Sequence, residues 1–176
     1  AVVDLGEAFR VLGKRKAPTE AYRSGDAWFF IGDITDAWAR DEWKRFYNVT
    51  RRMLANGYRV VTHPFPKVRD VRAAVQDPRT SVIIWSGHGT EEGQIFAEET
   101  PLPRDVFAAG AGPRFRNLVI SACNGEKIVE RYPNGNYKVR GTKRIRYLNG
   151  FRLLNLVGVV RGTDIAEKDD TVDSGK

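Results

Sequence analysis

Cysteine is nearly absent from this chain. Cys123 is the sole one among 176 residues, so no internal disulfide and no multi-cysteine metal site can form. Histidine is almost as scarce. His63 and His88 share no ligand spacing, which argues against a zinc centre. No apolar run approaches the roughly 18 residues of a membrane-spanning helix. The opening stretch AVVDLGEAFR lacks the basic flank and apolar core of a signal peptide. The chain starts on Ala1 rather than Met, as it would after removal of a leader, tag or upstream domain. Together these scarcities lead to an expectation of a cytoplasmic protein that takes no cofactor, no metal and no membrane, although a lone thiol also suits a secreted protein.

What is present is ordinary globular composition, with 41% hydrophobic and 29% charged residues. The length fits a single domain over 1–176 with a real core. The expected core spans about 26–165, after an extension at 1–25 and before a frayed acidic tail at 166–176. The net charge of +7 comes from 29 basic and 22 acidic residues. It suits acidic partners, nucleic acid among them, or simply a solvated basic surface.

Short apolar runs alternate with amphipathic ones. AWFFIG (27–32), YRVVTHPF (58–65), SVIIWS (81–86), NLVISA (117–122) and NLVGVVRG (155–162) read as strands. A helix after Asp36 carries Ala39, Trp43, Phe46, Tyr47 and Leu54 on one face and ends at Gly57. Helices are also expected over 68–77 and 102–110, and a short hairpin over 93–99. Continuous rather than alternating apolar strands imply an α/β fold, a parallel sheet covered on both faces by helices. His63 is expected in a loop, and the Asn48-Val49-Thr50 sequon inside a helix.

Two strands end on chemistry. IIWSGHG stops at His88 and LVISACNG at Cys123, and ligands in such sheets bind beyond the carboxyl ends of the strands. A histidine beside a thiol can raise the thiolate fraction and move a proton to a leaving amine. Gly87, Gly89 and Gly125 would then let a peptide approach closely, and loop N–H groups would hold an oxyanion. The plainer reading gives each residue a structural place at a strand end. GHGTEEG is a poor dinucleotide fingerprint, because Glu92 stands at its third glycine position.

The paired motif resembles the caspase-like cysteine peptidases of clan CD. Over 81–125 it is similar to bacterial CHAT domains. The resemblance implies an αβα sandwich around a mostly parallel sheet of about six strands. It also implies a cysteine endopeptidase acting on protein or peptide substrates, with Cys123 as nucleophile, His88 as proton-transfer partner and the backbone of Gly89 and Cys123 as oxyanion hole. Ser121 stands where many relatives carry a polar pocket residue. Asp33, Asp36 and Asp164 would favour a basic residue at the cut, and Arg161 opposes them. The basic run RYPNGNYKVRGTKRIR (131–146) reads as a hairpin turning at Asn134-Gly135. It offers Lys138, Arg140, Arg144 and Arg146 for self-processing, or a basic surface for nucleic acid. The rival readings are a catalytically silent caspase-like binding or scaffold module and a nucleic-acid-binding α/β domain. A regulatory domain or partner outside this chain is a further expectation.

Overall fold

The computed structural model describes residues 22–32, 49–132, 138–142 and 171–173. Strand β1 (Gly25–Ile31) is buried at every position except half-buried Trp28. It lies between β2 (Tyr58–Pro64) and β3 (Thr80–Ser86), parallel to both. β6 (Asn117–Ser121) continues the sheet beside β3, and β7 (Lys138–Thr142) runs parallel beyond it. β8 (Thr171–Asp173) closes the far edge antiparallel, so the order is β2-β1-β3-β6-β7-β8. The remaining strands, β4 (Phe96–Ala97) and β5 (Thr100–Pro101), pair only with each other.

Side chains of successive strand residues point to opposite faces, and both faces are apolar. On one side Phe29, Val60, Val82, Ile84 and Val119 meet Val49 and Met53 of helix α1, whose described part is 49–55. On the other side Phe30, Ile83, Trp85, Leu118 and Ile120 meet helix α2 (Val68–Gln76) and helix α3 (Gly125–Arg131). Burying each large aliphatic or aromatic side chain contributes roughly 1.5–3 kcal/mol. The result is the expected α/β fold, with helices on both faces of a mostly parallel sheet.

α1 ends at Gly57, whose φ of +85° is open to glycine at little strain. At the start of α2 the Asp70 carboxylate accepts a hydrogen bond from the Lys67 backbone N–H at 2.8 Å. This satisfies one of the groups that a helix start leaves without an intrahelical partner.

Several elements differ from expectation. Residues 104–110 form turns instead of a helix. They lie between Pro103 and Gly110, which has φ +69°, and so short a stretch gains little from helical propagation. His63 lies on β2, not in a loop, because the parallel pairing with β1 carries the strand through to Pro64. The 131–146 run does not fold back as a hairpin at 138–142. Those residues are β7, reached from β6 through α3 as a parallel crossover. Residues 171–173, expected to fray, pair with β7. The 155–162 strand, the Asn134-Gly135 turn and the start of the helix after Asp36 lie outside the described residues.

Candidate functional site

Three strands end together at one edge of the sheet. Gly32 N–H, just past β1, donates to the Ser86 carbonyl at 2.7 Å. Gly87 N–H, just past β3, donates to the Ser121 carbonyl at 3.2 Å. The chain segments carrying His88 and Cys123 are thereby brought side by side. His88 is exposed, Cys123 is half-buried with a free thiol, and Ser121 is fully buried.

Asn124 fastens the two segments. Its backbone is left-handed, with φ 59°, and its side-chain Nδ2 donates to the Gly89 carbonyl at 3.1 Å. Its own carbonyl accepts from Ile128 N–H at 3.0 Å, opening α3. The loop after His88 is folded on itself. The Thr90 hydroxyl accepts from Gln94 N–H at 3.0 Å, and Gly93 N–H donates to the Thr90 carbonyl at 3.0 Å.

The glycines of this edge serve internal contacts. A Cβ on Gly89 would collide with the Cys123 carbonyl oxygen and come within 2.7 Å of Ile128 Cδ1. A Cβ on Gly93, where φ is +78°, would collide with the Lys127 carbonyl. A Cβ on Gly87 would sit 3.3 Å from Gly32 Cα and 3.4 Å from Trp85 Nε1. Gly125 is buried at the start of α3. The expectation that Gly87, Gly89 and Gly125 clear a path for a peptide is therefore corrected at Gly89. There the missing side chain is replaced by the protein's own backbone.

Of the other residues singled out in the sequence, Lys138 and Arg140 lie on β7. Asp33, Asp36, Arg144, Arg146, Arg161 and Asp164 fall outside the described residues. Glu91 and Glu92 are exposed in a turn. Among the described residues no group of three or more His, Cys, Asp or Glu side chains could hold a metal. No helix among them is long and apolar enough to cross a membrane.

Three polar anchors carry no signal in the sequence, because their partners lie far along the chain or are shared with a cap. Buried Asp26 accepts from Arg59 Nε at 3.0 Å and Nη2 at 2.6 Å across β1 and β2. His63 Nε2 lies 3.3 Å from Asp70 Oδ2, the same carboxylate that caps α2. The buried Tyr132 hydroxyl donates to the Leu102 carbonyl at 3.0 Å and accepts from Ile95 N–H at 3.4 Å, tying the segment around the β4–β5 hairpin to the end of α3.

A family model for FlgH, the flagellar L-ring protein, matches residues 109–176. Curated relatives carry the same description. The flagellar L-ring protein of Xanthomonas euvesicatoria pv. vesicatoria is 43% identical over 84 residues, which is 48% of this chain and 36% of that protein. The one from Desulfotalea psychrophila is 34% identical over 67 residues, 38% of this chain and 29% of that protein. The chain thus spans about a third of the length of these relatives. A solved structure described as pro-sf-caspase-1 aligns with a TM-score of 0.45 at 15% identity, covering 74% of this chain and 67% of that one. A likeness that weak carries no argument about activity.

These matches overturn the peptidase reading. The matched segment includes β6, Cys123 and the whole basic run, so half of the motif that resembled clan CD belongs to a stretch similar to a flagellar ring protein. A strand that ends on cysteine at the edge of a parallel sheet is a property of the fold, which many functions share. The caspase-like and CHAT-like assignment, the peptide substrate, the nucleic-acid alternative and the cytoplasmic location are corrected with it.

Proposed function

We propose that this chain is a structural subunit of a flagellar ring, associated with the outer membrane, whose partners are further ring subunits and other components of the basal body. The observation that carries this reading is the match of residues 109–176 to the L-ring family model. Identity of 43% over 84 residues to an L-ring protein supports it.

The position of the matched segment in the fold adds a physical reason. β6, α3, β7 and β8 all fall within 109–176, and β6 hydrogen-bonds directly to β3. The L-ring-like stretch therefore shares one sheet and one core with the rest of the chain. A ring subunit needs this kind of build, because rigid elements hold intersubunit contacts at a fixed angle and a head-to-tail interface closes only at a constant rotation. Negative-stain microscopy and mass photometry of the purified chain in mild detergent test the reading. Closed oligomers of defined copy number are expected. A monomer at every concentration, with and without detergent, would count against it.

A further inference from the structure

The edge of the sheet opposite His88 and Cys123 is crowded with arginine. Arg23 precedes β1, Arg59 opens β2, Arg79 precedes β3, and Arg114 and Arg116 precede β6. α1 ends at this same edge, just before β2, and adds Arg51 and Arg52 from its last turns. Contacts hold the group together. Arg114 Nη2 donates to the Arg23 carbonyl at 2.9 Å. A Cβ on Gly25 would sit 3.4 Å from Arg114 Cζ, and one on Gly57 would sit 2.9 Å from Arg23 Cγ. Arg116 N–H donates to the Ser81 carbonyl at 3.0 Å, and Ser81 Oγ donates to the Ser24 carbonyl at 2.7 Å.

Two described carboxylates at this edge, Asp26 and Asp77, are already engaged. Asp26 takes the bidentate Arg59 and lies 3.9 Å from Arg79. Asp77 takes Arg79 at 2.9 Å. That leaves Arg23, Arg51, Arg52, Arg114 and Arg116 as exposed positive charge with no ion pair to either carboxylate.

We propose that this amino edge of the sheet docks on the phosphate-bearing surface of an anionic lipid bilayer. The guanidinium fork matches phosphate oxygens bidentately, and arginine sheds its hydration more readily than lysine. Four adjacent strand starts at ~4.8 Å spacing give a rim roughly 15 Å across, wide enough to meet several headgroups at once. Single-strand binders interleave their basic side chains with aromatic platforms, and duplex readers push an element into a groove. Here the tyrosines at this edge, Tyr22 and Tyr58, are half-buried, and the exposed Phe65 lies at the opposite edge, just past the end of β2. The docking deepens the proposed place at the outer membrane, does not depend on ring closure, and would orient the chain with its strand starts toward the membrane.

The test is co-sedimentation of the full chain with vesicles of phosphatidylglycerol and phosphatidylcholine at several salt concentrations. Binding is expected to the anionic vesicles alone, and to weaken as salt screens the charges. Each arginine near such a surface contributes about fivefold in partition, so a R51Q/R52Q/R116Q variant should lose binding on the order of a hundredfold. A second variant, R23Q/R114Q, should lose on the order of tenfold or more. Melting temperatures of both, compared with wild type, separate lost charge from lost fold. K67Q/R69Q/K127Q removes as much charge from the opposite edge and should bind as wild type does. Equal loss in that control would overturn the proposal, and so would equal binding to neutral vesicles. Displacement from anionic vesicles by duplex DNA at matched phosphate concentration would overturn it in favour of a nucleic-acid surface.

Discussion

At Gly89 and Gly93 the fold leaves no room for even one methyl group. Gly89→Ala would drive its Cβ into the Cys123 carbonyl, and Gly93→Ala into the Lys127 carbonyl from a left-handed backbone. Overpacking against backbone costs about 1–3 kcal/mol, and Gly93→Ala adds about 1 kcal/mol of backbone strain. Urea midpoints should fall for both variants, and further for Gly93→Ala. Unchanged midpoints would mean that the loop after His88 does not rest on α3. Tyr132 offers a second test at this scale. Burial pushes its phenol above the ordinary tyrosine range, and the protonated hydroxyl donates to Leu102. The folded state thus holds this proton more tightly than the unfolded chain does. The stabilisation is fully present below about pH 10 and is lost as pH rises through the raised value. Tyr132→Phe should remove that alkaline loss. At neutral pH it should cost about 1–2 kcal/mol, for the hydrogen bond and the unsatisfied Leu102 carbonyl left behind. Chemical denaturation from pH 7 to 11 measures both effects.

Among the elements, the strands were legible in the sequence and the connections much less so. AWFFIG, YRVVTHPF, SVIIWS and NLVISA are apolar runs because both faces of the sheet are covered, and each appears as a strand within a residue or two of its expected bounds. α3 leaves no signal in the sequence, because seven residues with only Gly125, Ile128 and Val129 buried give too little periodicity to stand out. β7 leaves no signal as a strand because GNYKVRG carries no apolar run. Parallel pairing with β6, not its own composition, makes it a strand. The rim holding His88 and Cys123 was legible from strand endings alone. What the rim does was not, because a shared edge follows from topology while function depends on what the surrounding surface binds. One consequence belongs to this scale. Removing everything after Tyr132 deletes β7 and β8 and leaves β6 as an edge, with Leu118, Val119 and Ile120 fully buried in the intact fold. An unprotected apolar edge templates pairing with other chains. Light scattering after size-exclusion chromatography should find the 1–132 fragment self-associated. A folded, monodisperse monomer would show that the sheet does not need β7 and β8.

For the whole molecule, the net charge of +7 gains a direction from the fold, because arginines gather where the strands start. Composition alone could not place them: Arg23 and Arg114 lie 91 residues apart in sequence and meet through one hydrogen bond. The same limit explains the misread motif. His88 and Cys123 do share an edge, but the segment around Cys123 is similar to a ring component. The central proposal is that the chain is a subunit of a flagellar ring. Its most direct test is to express the tagged chain in Xanthomonas euvesicatoria and isolate hook–basal bodies. The chain should co-purify with them at a fixed ratio to the other ring components, and excess untagged L-ring protein should displace it. A chain that is well expressed and folded yet absent from basal bodies would contradict the claim.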